Sequence, residues 1–114
     1  MSSTKPPKNI RRKIKELSLK AYEIELRKHL GELYNNFKDW DNNKLKSAEL
    51  SDLIHEFHHG ASREMFNFYN SVDPGMAVGR AIVLNIISKE EISEEMYPYI
   101  SNSIKYFESQ YSDK

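Results

Sequence analysis

The stretch Asp73-Pro74-Gly75-Met76-Ala77-Val78-Gly79-Arg80-Ala81-Ile82-Val83-Leu84-Asn85-Ile86-Ile87 decides the fold. Asp73 followed by Pro74 is a helix start: an aspartate side chain caps free N–H groups, and proline at the first helical position gives up an N–H that has no partner there anyway. From Met76 onward nearly every position is apolar, with Arg80 and Asn85 the only strongly polar interruptions. A helix that is apolar almost all round must be covered on all sides. The segment therefore reads as a helix from Pro74 through Ile87, buried at the centre of an all-α domain.

Its neighbours carry the same period. Downstream, Ser88 with Glu91 makes a capping box, and Ser93 followed by Glu94 and Glu95 repeats the start signal. A last helix from about Pro98 then carries Tyr97, Ile100, Ile104, Phe107 and Tyr111 at intervals of three and four. Upstream, Leu50, Leu53, Ile54, Phe57, Ala61, Met65 and Phe68 predict a second helix over roughly 48–70, with Ser47 as its N-cap and Gly60-Ala61 small enough for a close crossing. Before it, Asp41-Asn42-Asn43 supplies turn chemistry.

The first helix is long, from about Asn9 to Trp40. Its stripe of Ile10, Ile14, Leu17, Ala21 and Ile24 gives way to Leu26, Leu30, Leu33, Phe37 and Trp40, slipping sideways near Ile24–Leu26. One such helix either turns different faces to different neighbours or bends near Gly31. No segment alternates with period two, so no strand is expected. The fold expected is a small four-helix bundle-like domain with a long first helix and a buried third helix, residues 9–114 forming one helical domain behind a disordered basic arm at 1–8.

The 114 residues suffice for a core without disulfide or metal staples. The absence of cysteine removes disulfides, thiolate metal sites and cysteine nucleophiles, and fits a cytoplasmic protein. The most apolar run, Ala81 to Ile87, is far shorter than the roughly 20 residues that span a bilayer, and no membrane association is expected. Charge is unevenly placed. Residues 1–20 hold Lys5, Lys8, Arg11, Arg12, Lys13, Lys15 and Lys20 against Glu16 alone, a net of +6, so in this neutral chain the remainder carries −6. Weak nucleic-acid binding by that basic arm is one alternative, though the arm has no aromatic residue on which a base would stack.

One catalytic motif is spelled out. His55-Glu56-Phe57-His58-His59 reads H-E-x-x-H, in which two imidazoles one helical turn apart hold zinc and the glutamate acts as general base. His55 and His59 are thus the candidate metal ligands, Glu56 the candidate catalytic residue and zinc the candidate cofactor of a zinc-dependent hydrolase. The surrounding pattern argues against that alternative: the compact protease version needs glycine at 62 and histidine at 65, where the chain has Ser62 and Met65. The expectation is therefore no catalytic residue and no cofactor, with the two histidines on an outward helix face. His29 and His58 read as histidines flanking the core.

Seven tyrosines, five phenylalanines and one tryptophan exceed what surface decoration requires. Phe66 falls on the outward face with His55 and His59, and together with Tyr69, Tyr106 and Tyr111 it is a candidate contact for a protein partner or a second copy of the chain. The sequence thus points to a small non-enzymatic helical interaction or regulatory module that works through an aromatic helical face, its partner being either another protein or a second copy of the chain.

Overall fold

The computed structural model describes residues 5–111, and within them the chain is all-α, with no strand. Its elements are α1 (Lys8–Asp41), α2 (Ser47–Phe57), a π-helical turn (His58–Ser62), α3 (Arg63–Ser71), α4 (Pro74–Val83), a 3-10 turn (Lys89–Glu91) and α5 (Tyr97–Tyr111). The first four residues of the expected arm lie outside the described residues. Lys5–Pro7 are not helical, and α1 already begins at Lys8. The described residues form two compact units, one of 5–21 with 71–111 and one of 22–70. The division falls within α1, between Ala21 and Tyr22, just before the apolar stripe changes side.

The first unit holds most of the buried apolar side chains. Ile10, Ile14 and Ala21 of α1 are buried, as are Ala77, Val78, Ala81 and Ile82 of α4, Ile87 and Met96 of the connecting segment, and Ile100, Ile104 and Phe107 of α5. α4 packs on α5 at very short range. A Cβ on Gly79 would lie 2.0 Å from Ser103 Oγ and 2.9 Å from the Ser103 carbonyl carbon, so only glycine fits at this crossing. The Ser103 hydroxyl, itself buried, donates to the Met76 carbonyl oxygen (3.0 Å) and leaves no polar atom stranded.

The caps of this unit follow the sequence closely. Asp73 accepts from the Gly75 N–H (2.9 Å) with Pro74 in the first turn of α4. Ser88 Oγ accepts from Glu90 N–H (3.1 Å) while Glu91 Oε2 accepts from Ser88 N–H (3.1 Å), the reciprocal box. The C-terminal limit of α4 differs from expectation. The helix stops at Val83 rather than running to Ile87, because Asn85 adopts a left-handed conformation (φ 61°) and the Ile86 N–H returns to the Ala81 carbonyl (2.8 Å). This is a Schellman-type ending with asparagine in the position glycine usually takes. It lets Ile87 turn back into the core while Leu84 faces outward.

The second unit is a helical hairpin. After α1, Asn43 takes a left-handed conformation (φ 62°) and the Lys44 N–H closes on the Asp39 carbonyl (2.8 Å). Lys46, not Ser47, is the N-cap of α2, and Glu49 accepts from its N–H (2.8 Å). Ser47 instead accepts from the Trp40 indole N–H (2.9 Å), pinning the turn. Leu50 and Met65 are the buried apolar residues of this unit, supported by half-buried Leu26, Leu33, Leu53, Phe57, Ala61, Phe68 and Tyr69.

The expected second helix is present but not uniform. Its inward positions Leu53, Phe57, Ala61, Met65 and Tyr69 recur at every fourth residue. In an α-helix each such step drifts about 40° round the axis, so the last of them would leave the seam. The turn at His58–Ser62, with its wider i→i+5 spacing, winds more slowly and takes back part of that drift. Gly60 lies within it, and a Cβ there would meet nothing within 4 Å, so the close crossing expected at Gly60-Ala61 occurs at Gly79 instead.

Candidate functional site

The hairpin of residues 22–70 leaves Ile24, Leu30, Tyr34, Phe37, Trp40, Ile54 and Phe66 exposed. Leu26, Leu30, Leu33, Phe37 and Trp40 are spaced 4-3-4-3 along α1, the spacing of a coiled-coil seam. Leu26 and Leu33 are half-buried, whereas Leu30 is 46 % exposed and Phe37 and Trp40 are each 40 % exposed. The Phe37 ring meets the Trp40 indole edge-on (centroids 6.5 Å), which holds both rings in place. Beside them Tyr34 is exposed under the Lys38 ammonium, 5.0 Å from its ring centre. A shallow groove lined by Leu26, Leu30, Gly31 and Tyr34 runs along the same stretch of helix.

The four aromatic residues singled out from the sequence fall in both units. In the hairpin, Phe66 is 57 % exposed. Tyr69 is engaged internally: its ring stacks on Tyr22 (centroids 4.8 Å, 17° between planes) and its hydroxyl donates to Glu25 (2.7 Å). In the other unit, Tyr106 and Tyr111 are half exposed and flank Phe107, Tyr106 edge-on at 4.9 Å and Tyr111 stacked at 5.9 Å. The Arg80 guanidinium donates to the Tyr111 hydroxyl (3.3 Å).

The H-E-x-x-H residues divide between two sides of the hairpin. His55 and His59 are exposed with their rings nearly parallel (7°, centroids 6.2 Å apart), and His58 meets His59 edge-on at 5.0 Å. His58 is exposed too, rather than flanking the core, since it opens the π-helical turn that shifts the register of everything after it. Glu56 lines a different feature, a groove shared with Glu32, Leu33, Asn36 and the half-buried His29, whose Nδ1 is 3.5 Å from Glu32 Oε1. Among the described residues no group of three or more histidine, aspartate or glutamate side chains converges so as to hold a metal ion. Any ion on His55 and His59 would have to complete its shell from water or another molecule.

Two signals in the sequence bear on these placements. The run of every-fourth-residue positions marks the π-helical turn, and the 4-3-4-3 spacing that starts at Leu26 marks a continuous seam along α1. No helix among the described residues is long and apolar enough to cross a membrane. Comparison of the chain with known protein families, with curated proteins and with solved structures gave no match.

Proposed function

We propose that this protein is a non-enzymatic helical interaction module of the cytoplasm that works by self-association through the 22–70 hairpin. The observation that carries the reading is the exposed seam of Leu30, Phe37 and Trp40 on a unit whose own buried apolar residues are Leu50 and Met65. A second copy is the favoured occupant because a helix bearing coiled-coil spacing is complementary to the same helix in another copy, and a twofold arrangement closes on itself. Fully burying a large apolar side chain contributes roughly 1.5–3 kcal/mol. These residues are already part-covered, so a few kcal/mol per copy remains to offset association costs, which makes the dimer weak and concentration-dependent.

Light scattering coupled to size exclusion, from low to high micromolar concentration, tests this. The native chain should shift from monomer to dimer, and Leu30→Glu with Phe37→Glu should hold it monomeric without loss of helicity. Tyr97→Glu, an exposed aromatic of the other unit, should leave the shift in place. A native chain that stays monomeric throughout would sink the proposal.

A further inference from the structure

A cavity in the first unit, well away in sequence from the hairpin seam, brings together cations that the fold does not neutralise. It measures about 560 Å³ and is lined by Lys5, Arg11, Lys15, Asp73, Tyr99 and Asn102, over a floor that includes the buried Ile14. Lys5 precedes α1, while Arg11 and Lys15 are one turn apart and project from the same side of it. None of the three cations makes an ion pair with a described carboxylate. Asp73 is the one acid among the described residues of the lining, and its carboxylate accepts from the Gly75 N–H.

Three like charges around one cavity cost free energy unless something of opposite sign joins them. The position of α1 adds to that cost. Its first turn has no acidic residue, so Arg11 sits near the positive end of the helix dipole, where a cation is disfavoured. Exposed cations in general are solvated and need no partner, but these three residues line one concave site. Asn102 and Tyr99 add polar groups beside them, and Ile14, Pro74 and Pro98 supply apolar wall. The volume lies within the range of small-molecule sites and exceeds what a single inorganic phosphate fills.

We infer that this cavity binds a small phosphate-bearing molecule, its phosphates held by Lys5, Arg11 and Lys15. The arginine offers a planar fork to paired phosphate oxygens, and the lysines act as point charges that follow a flexible ligand. A single-stranded nucleic acid would draw on the same charges, but Tyr99 is the one aromatic residue among the described residues that line the cavity, whereas strand binding uses successive stacking platforms.

Calorimetric titration of the full chain with inorganic pyrophosphate at low salt tests the inference. Saturable one-to-one binding is expected, weakened at least tenfold by Arg11→Gln or Lys15→Gln and unchanged by Lys28→Gln on the exposed face of α1 in the other unit. Affinity should fall as salt is raised, since the contacts are solvent-accessible ion pairs. Absence of saturable binding, or binding that survives both Arg11→Gln and Lys15→Gln, overturns it. So does a single-stranded oligonucleotide that binds through Arg11 and Lys15 while pyrophosphate does not.

Discussion

The two units bury their apolar residues to very different degrees. In residues 5–21 with 71–111, α4 and α5 approach until a glycine hydrogen faces a serine, and Val78 and Ile100 are fully enclosed. In residues 22–70, two helical arms of similar apolar content bury Leu50 and Met65 and leave Ile24, Leu30, Phe37, Trp40, Ile54 and Phe66 part-exposed. The difference lies in residue size as much as in hydrophobicity. Gly75, Ala77, Gly79, Ala81 and Ser103 let one helix sink into another, whereas the hairpin meets itself through leucine, phenylalanine and tyrosine, which hold two helices apart and leave side faces uncovered. One unit encloses a core of small and aliphatic side chains, with Leu19, Leu84, Tyr97, Tyr106 and Tyr111 left on its surface, and the other buries little and leaves a leucine and aromatic seam part-covered.

The sharpest way to break that contrast is the same substitution in each unit. Gly79→Ala places a methyl group against Ser103, including a backbone carbon 2.9 Å away that cannot swing aside. It should cost about 2–3 kcal/mol. Gly31→Ala, in an exposed helix interior with nothing within 4 Å, should instead stabilise by roughly 0.5–1 kcal/mol, because alanine loses less backbone freedom than glycine. Thermal melts of the two variants should move in opposite directions. Equal shifts of the same sign would mean that the close crossing is not what distinguishes the units.

A smaller effect separates the hairpin's internal contacts from its open seam. Tyr69→Phe keeps the stack on Tyr22 but removes the hydrogen bond to Glu25, at a cost of about 1 kcal/mol, or somewhat more because the acceptor is a carboxylate. Hydrogen exchange should quicken in residues 22–70 and stay unchanged in α4 and α5. Faster exchange throughout would show that the two units open together.

How much of this was legible in the sequence follows from which interactions are local. The all-α class, the long α1 and the Asp73-Pro74 start rest on periodicity and capping within a few residues, and each is present. The end of α4 was written in Asn85, but in a run of isoleucines and leucines its capacity for a left-handed turn is outweighed by apolar periodicity. Ser47 looked like an N-cap because serine caps helices, yet the Trp40 indole engages its hydroxyl and Lys46 takes the cap position. The site was harder to read. Arg11 and Lys15 are visible in the sequence as part of a basic arm, but that they line one cavity with Lys5 and Asn102 depends on where α5 returns, which no local pattern states. The slip in the α1 stripe was visible, and it falls beside the division between the units.

The smallest effect tests whether the first unit owes anything to charge. The Lys20 ammonium donates to Glu91, joining α1 to the 3-10 turn, and this bond, aided by the Ser88 N–H, holds the Glu91 carboxyl below its ordinary value of 4.5. A carboxylate whose folded-state pKa is depressed contributes stability that is present above the unfolded value and lost as pH falls through the folded one. The contribution should therefore be complete near neutrality and disappear progressively below 4.5. Because the lysine side chain is 53 % exposed, screening keeps it under about 1 kcal/mol. Glu91→Gln should lower the melting temperature slightly at pH 7 and converge on the native chain in acid. A gap that stays constant with pH would assign the loss to the capping geometry of Ser88, leaving burial and close helix contact as the sole basis of the contrast between the units.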